Sequence, residues 1–256
     1  MPSIHTEAMS CLDKAIQLAA SRQPDDLRYA CLQLRMSIEH LFYELLPHYK
    51  AELPTAVFDT WQPKQILDAL IECNPDVTSD ASLAIRDAEG KAVLFTGAQT
   101  AVSKKLLKEN YHRLGAFLHA PMYGKGLILS DLVAAVEKAI RALESYRADG
   151  VILNHGKYVE VKCCACGHPY KRKVQTIPED RRVRCLNSKC NALIRLNVVG
   201  GNIVPELAQV LFTCPACAGS YDVSETECRA GNAFACKLCN AQVIVREVLV
   251  LEKVSQ

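Results

Sequence analysis

The sequence predicts a mainly α-helical N-terminal bundle domain followed by two small β-rich zinc ribbon modules. Three observations lead there. Apolar residues recur at spacings of three and four through much of residues 1–150. Cysteine pairs dominate residues 157–252, in two copies with matching internal spacing. Short β-like runs, such as Tyr158-Val159-Glu160-Val161 and Leu211-Phe212-Thr213, precede those pairs. The expected divisions are 1–150 for the helical domain, 157–199 for a first, basic ribbon and 205–252 for a second ribbon, with Gly200-Gly201 separating the two halves.

The helical elements can be justified in order. Ile4 to Arg22 reads as a helix stopped before Gln23-Pro24. A second helix opens at Asp25-Asp26, two acidic residues suited to the positive end of a helix dipole. Its stripe is Leu27, Cys31, Leu34, Ile38, Leu41, Phe42 and Leu45, and it is expected to run to near Pro54. Pro63 opens a short helix from Lys64 to Cys73, which Asn74-Pro75-Asp76 stops. Leu83-Ala84-Ile85 and Ala92-Val93-Leu94-Phe95 flank the turn-like Asp87-Ala88-Glu89-Gly90 and predict two short strands. Gln99 to His119 is helical again, ended by Ala120-Pro121 because the residue before proline avoids the helical region. Leu127 to Arg147 is the last helix, closed by Asp149-Gly150.

The composition narrows the class. Of 256 residues, 50% are hydrophobic and 23% charged, a globular rather than a disordered chain. The longest charge-free run, Leu207 to Tyr221, is fifteen residues and contains two cysteines. A membrane span needs ~20 apolar residues, so none is expected. Met1 to Lys14 has neither a basic start nor an apolar stretch, so no secretory signal and a cytoplasmic location are expected. Thirteen cysteines then stay reduced and read as metal ligands before disulfides.

The cysteine pattern is the strongest signal. The first copy is Cys163-x2-Cys166 and Cys185-x4-Cys190; the second is Cys214-x2-Cys217 and Cys236-x2-Cys239. First to third cysteine is 22 residues in both. Tyr170 and Tyr221 each stand four residues past the second cysteine, and Asn-Ala follows the last one each time, at Asn191-Ala192 and Asn240-Ala241. Two residues between thiolates let one tight turn offer both sulfurs to one ion, and two such turns complete a tetrahedral shell with no open position. The expectation is two structural zinc ions per chain. Cys164 and Cys228 read as spare thiols, and Cys11, Cys31 and Cys73 as helix-core residues. With no open position, and no other His/carboxylate cluster, metal-dependent catalysis is not expected.

Charge is uneven. Residues 155–204 hold 10 Lys and Arg against 3 Asp and Glu, a net of +7, while 1–154 carry −3 and 205–256 carry −2. A nucleic acid, if bound, is therefore expected on the first ribbon. The candidate contacts are Lys171, Arg172, Lys173, Arg181, Arg182 and Arg184, with Tyr170 as a stacking aromatic. The other reading of that charge is a solvated face balancing a dianionic metal site. The second ribbon is acidic, places Val243, Val245, Val248 and Val250 on an alternating strand, and reads as a structural or protein-contact module.

Two helical segments carry arginine followed by histidine. One is Arg35-Met36-Ser37-Ile38-Glu39-His40 and the other Arg113-Leu114-Gly115-Ala116-Phe117-Leu118-His119. On a five-helix unit of this size the pattern resembles the HEPN family (higher eukaryote and prokaryote nucleotide-binding domains). The resemblance implies an all-helical, often dimeric fold and metal-independent RNA cleavage through an Arg-x(4–6)-His motif. It places the catalytic candidates at Arg113 and His119, late in the domain. Leu114 stands where members usually carry a polar residue. Arg35 and Glu39, four apart, are expected to form a supporting ion pair, with His40 on the flank.

Two functions follow. One is an RNA-binding protein with metal-independent endoribonuclease activity, of the kind found among prokaryotic toxins and antiviral defence effectors. The other is a non-catalytic dimeric adaptor or accessory subunit, whose ribbons bind nucleic acid or a protein partner. The expected partners are RNA, a second copy of the chain through the helical domain, and a protein at the second ribbon.

Overall fold

The structure is a computed structural model that describes residues 3–119, 126–148, 150–200, 202–225 and 227–246. It divides into two compact units, Met1–Lys157 and Tyr158–Gln256.

In the first unit, α1 (Ile4–Ala20) starts at Ser3, whose hydroxyl accepts a bond from the Thr6 amide. It stops two residues before the expected Arg22, because Arg22 adopts φ 58°, outside the helical range. Proline at the first position and two acidic residues in the first turn open α2 (Pro24–Leu45). Its buried stripe is the one expected, with Ala30 and Ser37 added. The expected extension to Pro54 is corrected: Pro47 has no amide to donate, and the helix tightens into a 3₁₀ turn at Leu46–Tyr49. A second 3₁₀ turn, Thr55–Asp59, leads to α3 (Pro63–Cys73).

The two predicted strands are present as an antiparallel hairpin, β1 (Ala81–Arg86) and β2 (Val93–Gln99). Asp87 holds the turn by accepting from the Lys91 and Ala92 amides at 2.7 and 3.1 Å. The expected helix from Gln99 instead begins at Lys104. Gln99 is spent on β2, and the Ser103 hydroxyl caps the helix by accepting from the Leu106 amide. This helix is interrupted. α4 (Lys104–Leu106) runs into a wide π turn, Leu107–Tyr111, where the His112 amide bonds back five residues to Leu107, and continues as α5 (His112–Leu118). The last helix is α6 (Leu129–Glu144). The helices converge on one core that includes Leu12, Leu34, Phe42, Leu70, Leu106, Leu114 and Val136. Cys31 and Cys73 belong to it, and Cys11 is also buried.

The second unit is a chain of small antiparallel sheets. They are β3 (Tyr158–Lys162) with β4 (Pro169–Lys173), then β5 (Arg182–Arg184) with β6 (Leu193–Val199) and β7 (Asn202–Leu207). After them come β8 (Gln209–Thr213) with β9 (Ser220–Ser224), and β10 (Ala233–Ala235) with β11 (Gln242–Ile244). The strand after Gly200 pairs along β6, so the first ribbon's sheet continues to Leu207. The ribbons also touch. Arg182 pairs with Glu225 at 3.1 Å, and the Ala208 amide donates to Leu193 and its carbonyl accepts from Glu225. Of the expected valine strand, Val243 lies on β11, Val245 follows it, and Val248 and Val250 lie outside the described residues.

Candidate metal centres and nucleic-acid interface

Each cysteine pair sits in a turn next to a strand end, which brings two pairs together in each ribbon. In both groups the four sulfurs lie within 4.8 Å of one another. Cys163–Cys190 and Cys166–Cys185 are 3.8 and 3.7 Å apart, and Cys214–Cys239 and Cys217–Cys236 are 3.8 and 4.0 Å. A zinc–sulfur bond of ~2.3 Å in a tetrahedron requires sulfur–sulfur edges of ~3.8 Å, so both groups fit one tetrahedral zinc ion. Among the described residues these are the two groups that can hold a metal. The longer Cys185-x4-Cys190 turn closes its site as well as the shorter one does.

Backbone conformation explains the repeat. In the first ribbon Cys163 accepts from the Gly167 amide at 2.8 Å and donates to the His168 carbonyl at 3.0 Å; Cys214, Ala218 and Gly219 repeat this at 2.8 and 2.9 Å. Gly167 has φ 75° and Ala218 φ 55°. Asn191 and Asn240, the residues after each last cysteine, have φ 48° and 59°. Asparagine tolerates this left-handed region better than most residues, which accounts for the repeated Cys-Asn-Ala. The amides of Ala216 and Leu238 lie 3.4 Å from the Cys214 and Cys236 sulfurs and help carry thiolate charge. Cys164 is exposed, Cys228 is half-buried, and burial pushes the Cys31 thiol up to about 12.

The basic candidates of the first ribbon separate by burial. Tyr170 lies in the ribbon core, 3% exposed, and offers no stacking face; it packs near Val161, Val183 and Ile194. Arg172 and Lys173 are buried too. Arg172 donates to the Arg184 carbonyl at 3.3 Å, and Lys173 lies 5.7 Å from the Tyr158 ring centre. The expected platform of Tyr170 beside Lys171-Arg172-Lys173 is therefore corrected: β4 turns alternate residues inward and its last one also lies under the fold. Lys171 is exposed and pairs with Glu160 at 3.1 Å. Arg181 and Arg184 are exposed, and Arg182 is half-buried on Asp180 and Glu225. Arg195, a further basic residue of the first ribbon, is not among the candidate contacts read from the sequence. It lies directly across from Arg182, and the pairing puts Arg182, Arg184 and Arg195 on one face of β5–β6, opposite the buried Val183 and Ile194.

In the helical unit, no ion pair within 4 Å joins Arg35 to Glu39, which corrects the expected contact. Tyr111 lies between them. The Arg35 guanidinium carbon sits 4.0 Å over the Tyr111 ring centre, and the Tyr111 hydroxyl donates to Glu39 at 2.7 Å. Burial first, then this bond to a carboxylate, push the Tyr111 phenol up to about 12. Gly115 makes the arrangement possible, because a Cβ there would collide with the Arg35 guanidinium. Arg35, Tyr111, His112, Gly115 and His119 line one cleft with Trp61 and Lys64. Arg113 is exposed and does not line it. His40 is elsewhere, 3.8 Å from Glu7.

No protein-family model, curated protein or solved structure matches the chain.

The chemistry of the cleft rests on its own geometry. It offers one guanidinium, two imidazoles and the Lys64 ammonium, and among the described residues no carboxylate lines it. His112 and Trp61 were missed in the sequence. The signal was present: residues 112, 115, 116 and 119 fall on one helical stripe at ~100° per residue, whereas 113 and 119 are ~120° apart. No helix among the described residues is long and apolar enough to cross a membrane.

Proposed function

We propose that the protein binds RNA, with two zinc ions holding the ribbon unit together and the ribbon's arginine face contacting the phosphate backbone. The observation that carries this is the placing of Arg182, Arg184 and Arg195 on one sheet face. Arg182 is held by Asp180 and Glu225, and Arg195 faces Glu206 across β6–β7, so exposed Arg184 and Arg195 are the side chains left to meet a phosphate backbone. The test is anisotropy of a labelled single-stranded RNA titrated with protein. Arg184→Glu with Arg195→Glu weakens binding and flattens its salt dependence. Unchanged binding moves the site elsewhere.

In the same reading the helical unit, HEPN-like in its Arg-x5-His spacing, cuts the bound RNA without a metal. His119 keeps its role, while Arg35 supplies the guanidinium that Arg113, off the cleft, does not. One imidazole takes the 2′-hydroxyl proton as that oxygen attacks the adjacent phosphorus. The other protonates the departing 5′-oxygen, leaving a cyclic phosphate. Arg35 opposes the charge gained by the phosphorane. A role in defence against foreign nucleic acid rests on the same resemblance. His112→Ala and His119→Ala each abolish cleavage in folded protein; a His119→Ala variant that cuts as well as the wild type removes the catalytic part.

One observation favours the adaptor reading. The β1–β2 hairpin turns Leu83, Ile85 and Phe95 to one face, all exposed, and a second copy of the chain covering them makes a dimer. If so, Ile85→Lys with Phe95→Lys gives a monomer by light scattering with unchanged helicity.

A further inference from the structure

Trp61 is the only tryptophan in the chain and is 64% exposed. Its backbone is nevertheless fixed. The Trp61 carbonyl accepts the Tyr43 hydroxyl at 3.0 Å, and the Thr60 hydroxyl donates to Gln65 at 2.8 Å across the start of α3. The indole is thus a bare π surface on a rigid mount. It forms the sill between two concavities. On one side is an apolar groove with Tyr43, Leu46 and Phe58, edged by Lys50. On the other is the cleft of Arg35, His112 and His119. The N-cap Gln62 and the first residue Pro63 of α3 also line that cleft, and Gln62 makes no side-chain cap bond, so the positive end of the helix dipole adds to the same potential.

A flat apolar surface beside the Arg35 guanidinium and two imidazoles suits a ligand that carries a flat apolar group and an anion within one short unit. A nucleotide is built that way. A proline-rich peptide uses the aromatic groove but leaves the guanidinium and imidazoles unmatched, and an acidic peptide does the reverse. We propose that Trp61 is a stacking platform for one unpaired base of single-stranded RNA, with the neighbouring phosphate on the Arg35, His112 and His119 side. This rests on the RNA-binding reading but on neither cleavage nor the ribbon face.

The single indole makes its own probe. Full-length protein is titrated with an adenine decamer carrying 2′-O-methyl groups, which cannot be cut. Intrinsic emission and the anisotropy of a labelled copy are followed together. The expected result is saturable quenching of Trp61 with the same midpoint as the anisotropy change. Trp61→Ala then binds roughly tenfold more weakly, as loss of one base stack predicts, and Trp61→Phe retains most of the affinity. The wild-type quench needs no variant, so a misfolded mutant does not spoil the test. Binding by anisotropy with unchanged emission overturns the Trp61 proposal and leaves the RNA-binding reading standing. No binding by either probe overturns both. Equal quenching by a duplex, whose bases are already stacked, or by an acidic peptide in place of the decamer, also overturns it.

Discussion

A methyl group at position 115 meets the Arg35 guanidinium. The guanidinium is the far end of a flexible chain, so Gly115→Ala is expected to fold and to push Arg35 off the Tyr111 ring. The stability loss is ~1 kcal/mol, the scale of a cation–π contact, and thermal unfolding measures it. RNA cleavage, if the cleft performs it, falls much further than stability does. The residue scale is also where the sequence was hardest to read. The eight metal-site cysteines were legible because their spacing is itself the chemistry. The arginine and histidine were not, because their pairing is decided by helical angle and by what the next helix presents. Arg35 reaches the cleft from α2, about eighty residues away in sequence from His119, and no local pattern announces that. Tyr170 misled for the opposite reason: its basic neighbours suggested a surface, while strand alternation placed it inside.

At the scale of elements, the knuckle turns of the two ribbons carry a built-in comparison. Gly167 and Ala218 occupy equivalent positions, both with positive φ. Glycine adopts that region freely, and alanine pays ~1 kcal/mol for its Cβ. Ala218→Gly is therefore expected to stabilise the second ribbon by ~1 kcal/mol, read as a higher chelator concentration needed to strip its metal. A lower concentration contradicts the assignment. The helices α1, α2, α3 and α6 and the β1–β2 hairpin were legible from apolar periodicity and turn residues, with ends shifted by proline and by capping. β7 was not anticipated. Gly200 and Gly201 read as a separator, and only the register with β6 shows the chain doubling back to extend the sheet.

At the scale of the molecule, stability is divided by kind. The helical unit rests on one apolar core, and the ribbon unit's cluster around Val161 and Ile194 includes the metal-site cysteines Cys163 and Cys185. Small units of this sort draw much of their folding free energy from the metal. Chelation is expected to abolish the ribbon signals in an NMR spectrum while far-ultraviolet helicity persists. Elemental analysis should return two zinc ions per chain beforehand. Loss of helicity in step with the metal would contradict the division at Lys157. Charge is divided differently: the basic excess is confined to the first ribbon, and the second ribbon is acidic like the helical unit.

The wide turn at Leu107–Tyr111 holds one residue more than an α-helical turn of the same rise. It therefore behaves as a place where the chain's length can change by one without re-indexing either flank. Removing Lys108, an exposed residue of that turn, should let the loop of backbone contract into ordinary helix while Leu114, His112 and His119 keep their faces. A deletion inside a helix ordinarily rotates everything after it by ~100° and destroys the core. Here a shorter chain is expected to fold with the same cleft, and a deletion at the equivalent depth of α6 to fail.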